Sequence, residues 1–408
     1  WVESSHKVFT KIARSACYEY FFSFECHSYP VSYHRWQIFD SLFCWMGLSF
    51  NFCGLKNFLR IHYEYYMKIA SFYPKVTAVA IMYGNRWRFL SQVVVAAMRD
   101  QHITKLVIVD NGSKNKDEIE NGVKEYGNRV TVLRQEKNLG SAGGFAKGIE
   151  YAKNTDCDFV FLLDDDSFPE DNSVEKFMEA LKYFPDSKVV LSGNRVNVPG
   201  NQEFFYQPSL KNVSPRGTFF EVFNSDKITH FFRLLRGLYK KGIGRGPFIP
   251  IAPTEAFVYG AAFIPIEAVR RAPLPDASLF LYGDDVEYSW GIKNLGYSSY
   301  ICVSPKIYDV DLTFGEGSHI FGLFEPQTLS FKVYYRIRNM VRISVRNTRQ
   351  TKLSLFLNIL FWITGLLLLG GFRYGATRAY WNRAKLILLA VYGGYVLNAQ
   401  IPKEAQLP

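Results

Sequence analysis

The order of apolar and polar residues between positions 76 and 163 predicts strands that alternate with helices. Four short runs are almost wholly apolar, as buried strands are, and the segments between them carry apolar residues at helical spacing. The predicted elements are strand Val76–Met82, helix Trp87–Arg99, strand Lys105–Val109, helix Lys116–Tyr126, strand Val130–Arg134, helix Ala142–Lys153 and strand Phe159–Leu163. This alternation predicts an α/β fold with a mostly parallel sheet and flanking helices.

The last of these strands runs directly into three carboxylates, Asp164, Asp165 and Asp166. A solvated turn is the ordinary explanation, because Asp and Ser are common in turns and Pro169 ends a regular element. Like charges this close repel each other, however, and a cation would relieve the repulsion. Asp110 also follows a predicted strand, and parallel sheets bind ligands beyond the carboxyl ends of their strands. The pattern therefore favours a metal and phosphate site, with Mg²⁺ or Mn²⁺ as the ion that suits oxygen ligands.

A glycine-rich segment, Asn138–Gly144, follows the third strand and opens a helix. Turns of this kind let backbone N–H groups approach a nucleotide at a helix N-terminus. A plain left-handed turn explains Gly140, Gly143 and Gly144 equally well, and the segment lacks the lysine of a phosphate-binding P-loop. Both interpretations stay open at this point.

A second apolar run, Leu279–Tyr282, predicts a further strand that leads into Asp284 and a helix over Asp285–Leu295. Carboxylates at this place could simply favour the positive end of the helix dipole. The string Tyr282–Asp285 (YGDD) also occurs in template-directed polymerases. There it turns a β-hairpin, whereas helix-like sequence follows here at once, so a polymerase and a nucleic-acid partner are disfavoured.

The net charge of +11 is concentrated in the C-terminal region. The segment 326–403 contains no Asp or Glu and twelve Lys or Arg, so the rest of the chain is near neutral. Nucleic acid or an anionic membrane surface could each explain this basicity.

Periodicity in the same region predicts an amphipathic helix followed by a long apolar segment. Leu353–Phe372 gives twenty uncharged residues, long enough to span a bilayer, but Asn358 and Thr364 interrupt it. A basic helix on an anionic bilayer is expected, with a solvated helix face as the alternative. A membrane-associated helical tail is favoured over a transmembrane helix. The basic stripe consists of Arg338, Arg342, Arg346 and Arg349, and the apolar face of Tyr334, Ile337, Val341 and Val345.

Several segments together resemble a known enzyme family. They are Val109–Ser113 (VDNGS), Asn138–Gly144 (NLGSAGG), Leu163–Asp166 (LDDD) and Gly283–Tyr288 (GDDVEY), and in this order they resemble the motifs of family 2 glycosyltransferases with the GT-A fold, which is Rossmann-like. Tyr334–Asn339 (YYRIRN) resembles a further element of the bacterial rhamnosyltransferase and galactofuranosyltransferase branch. The triple Asp and the tandem Asp284-Asp285 favour the galactofuranosyltransferases. The resemblance extends over about residues 75–347.

The resemblance implies an inverting, metal-dependent transfer of a sugar to a lipid-linked or polysaccharide glycan, at the cytoplasmic face of the bacterial inner membrane. UDP-galactofuranose is the expected donor, and dTDP-rhamnose is the alternative. A catalytically dead module that binds a nucleotide sugar or a glycan is the alternative of another class. The expected organisation is a region of unknown role at 1–74, a catalytic domain at 75–325 and a basic, apolar helical region at 326–408.

The resemblance also implies roles for individual residues. Asp110 would hold the nucleobase, Asp164 the ribose, Asp166 the Mn²⁺ or Mg²⁺ ion, and Asp285 would act as general base. The expected catalytic residues are Asp285, Asp284 and Glu287, of which Glu287 would bind acceptor hydroxyls. The expected nucleotide-sugar-binding residues are Asp110, Asn111, Asn138, Gly140, Gly143, Gly144, Asp164 and Asp165. The expected metal ligands are Asp166, Asp164, Asp309 and His319.

Two departures from the family pattern affect these expectations. The family usually places a metal-binding His after the base, but Tyr308–Asp311 contains none. Asp309 is therefore the first substitute and His319 the second, although His319 also fits an ordinary surface loop. An Arg commonly follows the acidic motif, and Trp290-Gly291 stands there instead, which leaves the acceptor geometry open.

Overall fold

A single nine-stranded sheet organises the part of the chain that the structure describes. The computed structural model describes residues 73–184, 188–197, 205, 248–311, 320–325, 327–347, 351–396 and 399–406. All of them belong to one unit, Glu64–Pro408. The strands are β1 (Val76–Met82), β2 (Ile103–Asp110), β3 (Val130–Arg134), β4 (Phe159–Asp164), β5 (Ser167–Pro169), β6 (Val189–Arg195), β7 (Ile251–Thr254), β8 (Ala262–Pro265) and β9 (Ser298–Asp309).

Helices connect these strands and extend beyond them toward the C-terminus. The α-helices are α1 (Trp87–Arg99), α2 (Lys116–Val123), α3 (Gly140–Ala152), α4 (Ser173–Leu181), α5 (Ile266–Arg271), α6 (Asp284–Asn294), α7 (Ser330–Asn347), α8 (Lys352–Tyr374) and α9 (Arg378–Tyr395). Short 3-10 helices cover Lys124–Arg129, Tyr259–Ala261, Ala277–Leu279, Ile320–Phe324 and Lys403–Ala405.

The sheet has the strand order β3-β2-β1-β4-β8-β6-β9-β5, and β7 pairs with β9. The pairs β3/β2, β2/β1, β1/β4 and β6/β9 are parallel, and β8 pairs antiparallel with both β4 and β6. Six strands therefore run in one direction, while β5, β7 and β8 oppose them. The predicted α/β class, with a mostly parallel sheet, flanking helices and a helical C-terminal region, is confirmed.

Helices cover both faces of the sheet, and β1 shows how the sequence produces this. Every residue of β1 is buried, because alternate side chains point to opposite faces and both faces are covered. Ala78 and Ala80 pack in one cluster with residues of α1 and α4. Val79 and Ile81 pack in a second cluster with residues of α3, α5 and α6. The continuous apolar run of this strand follows from burial on both faces.

The strand predicted over Leu279–Tyr282 is wrong. A 3-10 helix ends at Leu279, and the following residues form a loop in which Phe280 and Tyr282 have positive φ angles of 65° and 68°. An apolar run alone cannot distinguish a buried strand from a buried loop. Here the loop packs its apolar side chains against the C-terminal helices.

The predicted arginine stripe of the tail is also corrected. Arg338 and Arg342 are buried, being 5% and 4% exposed, and Arg346 forms ion pairs with Asp276 and Glu287. Backbone carbonyls of the loop near Ser278 and of Gly393 accept hydrogen bonds from the two buried guanidinium groups. Arg338 and Arg342 therefore face the interior of the protein, where carbonyls from distant parts of the sequence accept hydrogen bonds from them, whereas Arg346 is exposed and pairs with two carboxylates. Arg349 lies outside the described residues.

The helical region that follows has its own apolar cluster, to which α7, α8 and α9 contribute. One helix of the described part, Lys352–Tyr374, is long and apolar enough to cross a membrane by length and composition. Much of its surface is nevertheless exposed apolar side chain, including Leu368 at 60% and Phe372 at 88%. Residues 1–72, and with them nearly all of the predicted region 1–74, lie outside the described part.

Candidate active site

The carboxyl ends of the central parallel strands place two predicted aspartates at the same level of the sheet. In the registers of β1 with its neighbours, Met82 pairs with Asp110 of β2 and Ile81 pairs with Asp164 of β4. The two aspartates therefore flank the end of β1, where ligands of parallel sheets bind. The sequence correctly predicted that they share this edge.

Asp110 anchors the turn that follows β2. Its Oδ1 accepts a hydrogen bond from the Ser113 backbone N–H at 2.9 Å, and its Oδ2 accepts one from Arg134 Nη1 at 2.9 Å. A carboxylate offers about four acceptor positions, so both bonds leave capacity for a further donor. The predicted contact with a nucleobase N–H is compatible with this arrangement.

Asn111 ties this turn to the glycine-rich segment. Its Nδ2 donates to Asn138 Oδ1 at 3.0 Å and to the Gly140 carbonyl at 2.9 Å, and its Oδ1 accepts from the Leu139 N–H at 2.9 Å. Gly140 has a φ of 72°, and a Cβ there would lie 2.0 Å from the Phe280 carbonyl oxygen. The segment is thus a left-handed turn packed against another loop. Its predicted role toward a nucleotide stays a prediction.

An acidic cluster surrounds Arg86, in the loop between β1 and α1. Arg86 Nε donates to Asp165 at 2.7 Å, Nη2 donates to Asp165 and Asp166 at 3.0 Å each, and Nη1 donates to Asp311 at 2.7 Å. The Arg86 side chain is only 14% exposed, so these charge-assisted bonds lie in a partly desolvated setting. Burial raises the pKa of Asp165 to about 6, against the opposing effect of Arg86.

A second arginine, Arg195 at the end of β6, serves the other half of the acidic cluster. Its Nη2 donates to Asp309 Oδ1 at 2.7 Å, and Asp309 also accepts a hydrogen bond from Ser167 Oγ at 2.5 Å. Arg195 Nη1 lies 3.7 Å from Asp164 Oδ2. Burial raises the pKa of Asp164 to about 7, with Asp166 adding to the effect. Asp164 is the carboxylate of this group that accepts no hydrogen bond from the described residues.

The chemistry of this cluster fits a divalent metal ion. Within the described residues, its carboxylates form ion pairs with two guanidinium groups, those of Arg86 and Arg195. The five carboxylates are Asp164, Asp165, Asp166, Asp309 and Asp311, and their ionised forms repel one another. Across the described ranges, no three His, Cys, Asp or Glu side chains are arranged to hold one ion. Mg²⁺ sites commonly use one or two carboxylates and take their other ligands from substrate phosphates and water. Carboxylates of this cluster therefore fit an ion that arrives with a diphosphate.

The two remaining predicted metal ligands are Asp309 and His319. Asp309 is buried and already shared between Arg195 and Ser167, so it neutralises an arginine rather than standing free for an ion. His319 lies outside the described residues.

The predicted catalytic carboxylates lie at the N-terminus of α6. Asp284 is buried and accepts a hydrogen bond from Ser141 Oγ at 2.9 Å, while Asp285 is half-buried and its Oδ1 accepts one from the Val286 N–H at 2.8 Å. Burial raises the pKa of both, and Asp285 adds to the effect on Asp284. Arg195 acts in the opposite sense on Asp285, so α6 and the acidic cluster share one electrostatic environment.

Glu287 is one turn further along α6. Its Oε1 accepts a hydrogen bond from Arg346 at 2.9 Å, whereas its Oε2 is buried and meets no partner among the described residues. A buried carboxylate oxygen without a donor is expensive unless a ligand or water serves it. This oxygen fits the predicted contact with acceptor hydroxyls.

Sequence reasoning missed Arg86, Arg195 and Gly260 as residues of this site. No local motif marks the two arginines, because Arg86 meets Asp165 from 79 positions away and Arg195 meets Asp309 from 114. Gly260 lies so close to Asp164 that a Cβ would be 2.4 Å from its Oδ2. The only sign of these arginines in the sequence was the run of carboxylates at the strand ends, which requires positive charges nearby.

Comparisons with known proteins find sequence similarity to glycosyltransferases. Residues 78–241 match the family model described as Glycosyl transferase family 2. The chain is 26% identical over 239 residues to the galactofuranosyltransferase GlfT1 of Mycolicibacterium smegmatis, which covers 57% of this chain and 69% of that protein. It is 23% identical over 256 residues to GlfT2 of the same organism, covering 60% of this chain and 36% of that protein.

One solved structure with a similar course of the chain is the mannosyltransferase PcManGT from Pyrobaculum calidifontis, crystallised with GDP-Man and Mn²⁺. The TM-score is 0.43 at 11% identity, over 83% of this chain and 95% of that one. The chain spans about two thirds of GlfT1 and about a third of GlfT2. The matched segment contains Asp110, the glycine-rich turn and Asp164–Asp166. Residues 78–241 therefore resemble family 2 glycosyltransferases, and the chain is similar in sequence to galactofuranosyltransferases.

Proposed function

We propose that this protein transfers galactofuranose from UDP-galactofuranose to a glycan acceptor in a single inverting displacement. The observation on which the proposal rests is that two acidic segments lie close together at one edge of the sheet. One group, Asp164–Asp166, lies at the end of β4, and the other, Asp284 and Asp285, begins α6. Similarity to galactofuranosyltransferases supports the choice of sugar.

The proposed chemistry divides between the two acidic groups. The acceptor hydroxyl attacks the anomeric carbon while Asp285 takes its proton, and the bond from that carbon to the diphosphate breaks as the nucleotide leaves. Asp284 is held by Ser141 and keeps α6 in place, whereas Glu287 orients acceptor hydroxyls. When bound at Asp164 and Asp166, a divalent ion offsets the charge of the departing diphosphate. No nucleophile of the enzyme is needed in one displacement.

A donor panel tests the proposed function. Purified full-length protein would be incubated with Mn²⁺ or Mg²⁺, a glycan acceptor and one nucleotide sugar at a time, and release of the nucleotide diphosphate would be measured. Acceptor-dependent release from UDP-galactofuranose is the expected result. Release from dTDP-rhamnose alone would instead identify a rhamnosyltransferase. Binding of donors without turnover for any donor and acceptor pair would identify a binding module.

Asp166→Ala should weaken the binding of UDP and of Mn²⁺ together. The physical reason is that an ion shared by this carboxylate and the diphosphate couples the two affinities. Titration calorimetry would measure UDP affinity with Mn²⁺ and with a chelator. Asp171→Ala, on an exposed residue shortly after the cluster, is the matched control and should change neither affinity. Equal UDP affinity with and without chelator in the wild-type protein would contradict the metal proposal.

We also propose that the exposed apolar side of α8 and α9 contacts a lipid surface, consistent with a lipid-linked acceptor. Exposed apolar side chains on α8 recur at helical spacing, and the hydroxyl of Thr364, which lies among them, donates to the Leu360 carbonyl within the helix. The exposed cations Lys352, Arg373 and Arg378 lie at the helix ends, where they suit anionic headgroups. The apolar stripe of α8 consists of Leu353, Phe356, Leu357, Leu360, Phe361, Leu368, Leu369 and Phe372.

Leu357→Gln, Leu368→Gln and Phe372→Gln combined should weaken vesicle binding by more than about tenfold. Complete burial of one such side chain contributes about 1.5–3 kcal/mol, so even partial insertion of three exceeds that factor. Sedimentation with anionic vesicles would measure it. Tyr183→Gln, an exposed aromatic residue just after α4, is the control and should leave binding unchanged. Unaltered binding of the triple variant would show that this surface does not contact lipid.

A further inference from the structure

The loop that precedes the two catalytic carboxylates has an unfavourable backbone conformation. Phe280, Tyr282 and Gly283 all have positive φ angles, of 65°, 68° and 80°. For a non-glycine residue such a conformation costs about 1–3 kcal/mol and persists only when the surroundings impose it. Gly283 is the N-terminal flanking residue of α6, so any relaxation of this loop moves the start of that helix.

Asn339 of α7 donates hydrogen bonds to backbone carbonyl groups of this loop. Its Nδ2 lies 2.7 Å from the Leu279 oxygen, 2.7 Å from the Leu281 oxygen and 2.9 Å from the Tyr282 oxygen. The residue is fully buried, at 0% exposure. The NH₂ group has two N–H donors, which are shared among these three oxygens. Without them the Leu281 and Tyr282 carbonyls would lose this partner, and a buried acceptor that stays unpaired costs about 1–3 kcal/mol.

Arg338 fixes the orientation of that amide and adds contacts of its own. Its Nε donates to Asn339 Oδ1 at 2.8 Å, and its Nη2 donates to the Ser278 and Leu279 carbonyls at 2.8 Å each. A guanidinium group has no acceptor, so the amide oxygen must face it and the NH₂ group must face the loop. The hydrogen bond between Arg338 and Asn339 therefore allows only one orientation of the Asn339 amide, with its NH₂ group toward the loop.

The opposite side of the loop rests on the glycine-rich turn. The Phe280 carbonyl accepts a hydrogen bond from the Ala142 N–H at 3.2 Å, at the start of α3. Ser141 Oγ, beside it, donates to Asp284 Oδ2 at 2.9 Å. The loop and the first carboxylate of α6 are therefore held between α3 on one side and α7 on the other.

We propose that Arg338 and Asn339 are positioning residues of the transfer reaction, which hold the loop 279–283 in its strained form and so place Asp284 and Asp285. The inference rests on the proposed function, but neither residue needs to touch a substrate. A displacement of about 1 Å at a reacting group can cost roughly 10²-fold in rate. Loss of the clamp should therefore lower kcat and leave donor binding, which uses the other acidic group, nearly unchanged.

Asn339→Asp tests the clamp, because it keeps the size of the side chain and removes its N–H donors. The expected result is a fall in kcat of about 10²-fold, with KM for the donor within about twofold and faster hydrogen exchange of the amides in 278–284. Arg383→Ala is the matched control. Arg383 also donates to two backbone carbonyls, those of Glu325 and Thr328, but does not contact the loop. It should lower stability without lowering kcat of the folded protein.

The outcomes separate the clamp from the proposed function. Wild-type kcat in Asn339→Asp, or a fall in kcat that Arg383→Ala reproduces in proportion to lost stability, would overturn the positioning role. Should Asn339→Asp fail to fold, Arg338→Lys keeps the charge, removes the Nε donor and is expected to give the same loss of kcat. A wild-type protein without turnover would overturn the proposed function alone, and unchanged exchange in 278–284 would overturn the clamp alone.

Discussion

Replacement of Asp285 by asparagine is expected to remove sugar transfer while donor binding stays nearly intact. Removal of a general base costs on the order of 10²–10⁴ in rate. The structure favours Asp285 over Asp284 as the base. Asp284 is buried and accepts a hydrogen bond from the Ser141 hydroxyl, whereas Asp285 is half-buried and, among the described residues, accepts one only from the Val286 backbone N–H. Steady-state turnover and UDP calorimetry on the same preparation would measure the two effects separately.

The matched control for this change is Asp117→Asn. Asp117 lies in the first turn of α2 as Asp285 lies in the first turn of α6, but it is exposed and makes no ion pair with the described residues of the acidic cluster. It should lose only the modest contribution of a carboxylate at a helix N-terminus and keep full turnover. Turnover of Asp285→Asn within a few-fold of wild type would assign the base to another residue.

Arg86→Ala is expected to destabilise the fold by about 3–5 kcal/mol near neutral pH. The change removes the guanidinium from three carboxylates that are at most 12% exposed, so their buried negative charges lose this counter-charge. Urea unfolding in the presence of a chelator would measure the loss. Arg88→Ala is the control, since Arg88 is exposed and stacks only over the Phe89 ring among the described residues, so its loss should stay within about 0.5 kcal/mol.

The loss caused by Arg86→Ala should shrink as the pH falls from 8 to 5. Burial already raises the pKa of Asp165 to about 6 with Arg86 in place, and removal of Arg86 raises it further. An acid whose pKa is higher in the folded than in the unfolded protein binds protons preferentially when folded, so acidification stabilises the variant relative to the wild type. A loss that is independent of pH, or smaller than 1 kcal/mol, would show that Arg86 does not neutralise the cluster.

The parts of the fold that the sequence predicted are those fixed by local periodicity. The predicted bounds of β1, β3 and α1 agree residue for residue with the structure. Burial of a strand or of a helix face requires apolar residues at a regular spacing, which the sequence shows directly. The placement of Asp110 and Asp164 at one edge followed in turn from the parallel arrangement of those strands.

The parts that the sequence could not predict depend on contacts between distant segments. The run Leu279–Tyr282 has the composition of a strand, but it forms a loop whose carbonyls accept hydrogen bonds from Asn339, which lies 60 positions after Leu279. The same holds for Arg338 and Arg342. Their helical spacing predicted a face exposed to lipid or solvent, but both side chains are buried and donate to carbonyls of other segments. Periodicity shows which side chains share a face of a helix or strand, but the segment that packs against that face lies elsewhere in the sequence and periodicity does not identify it.

The proposed reaction makes one product that a single measurement can identify. Wild-type protein, UDP-galactofuranose, a divalent ion and a glycan acceptor should give a lengthened glycan, and NMR of the new linkage should show the anomeric configuration opposite to that of the donor. The same mixture with Asp285→Asn should give no detectable product. A linkage that retains the donor configuration, or an identical product from Asp285→Asn, would contradict a single displacement with Asp285 as its base.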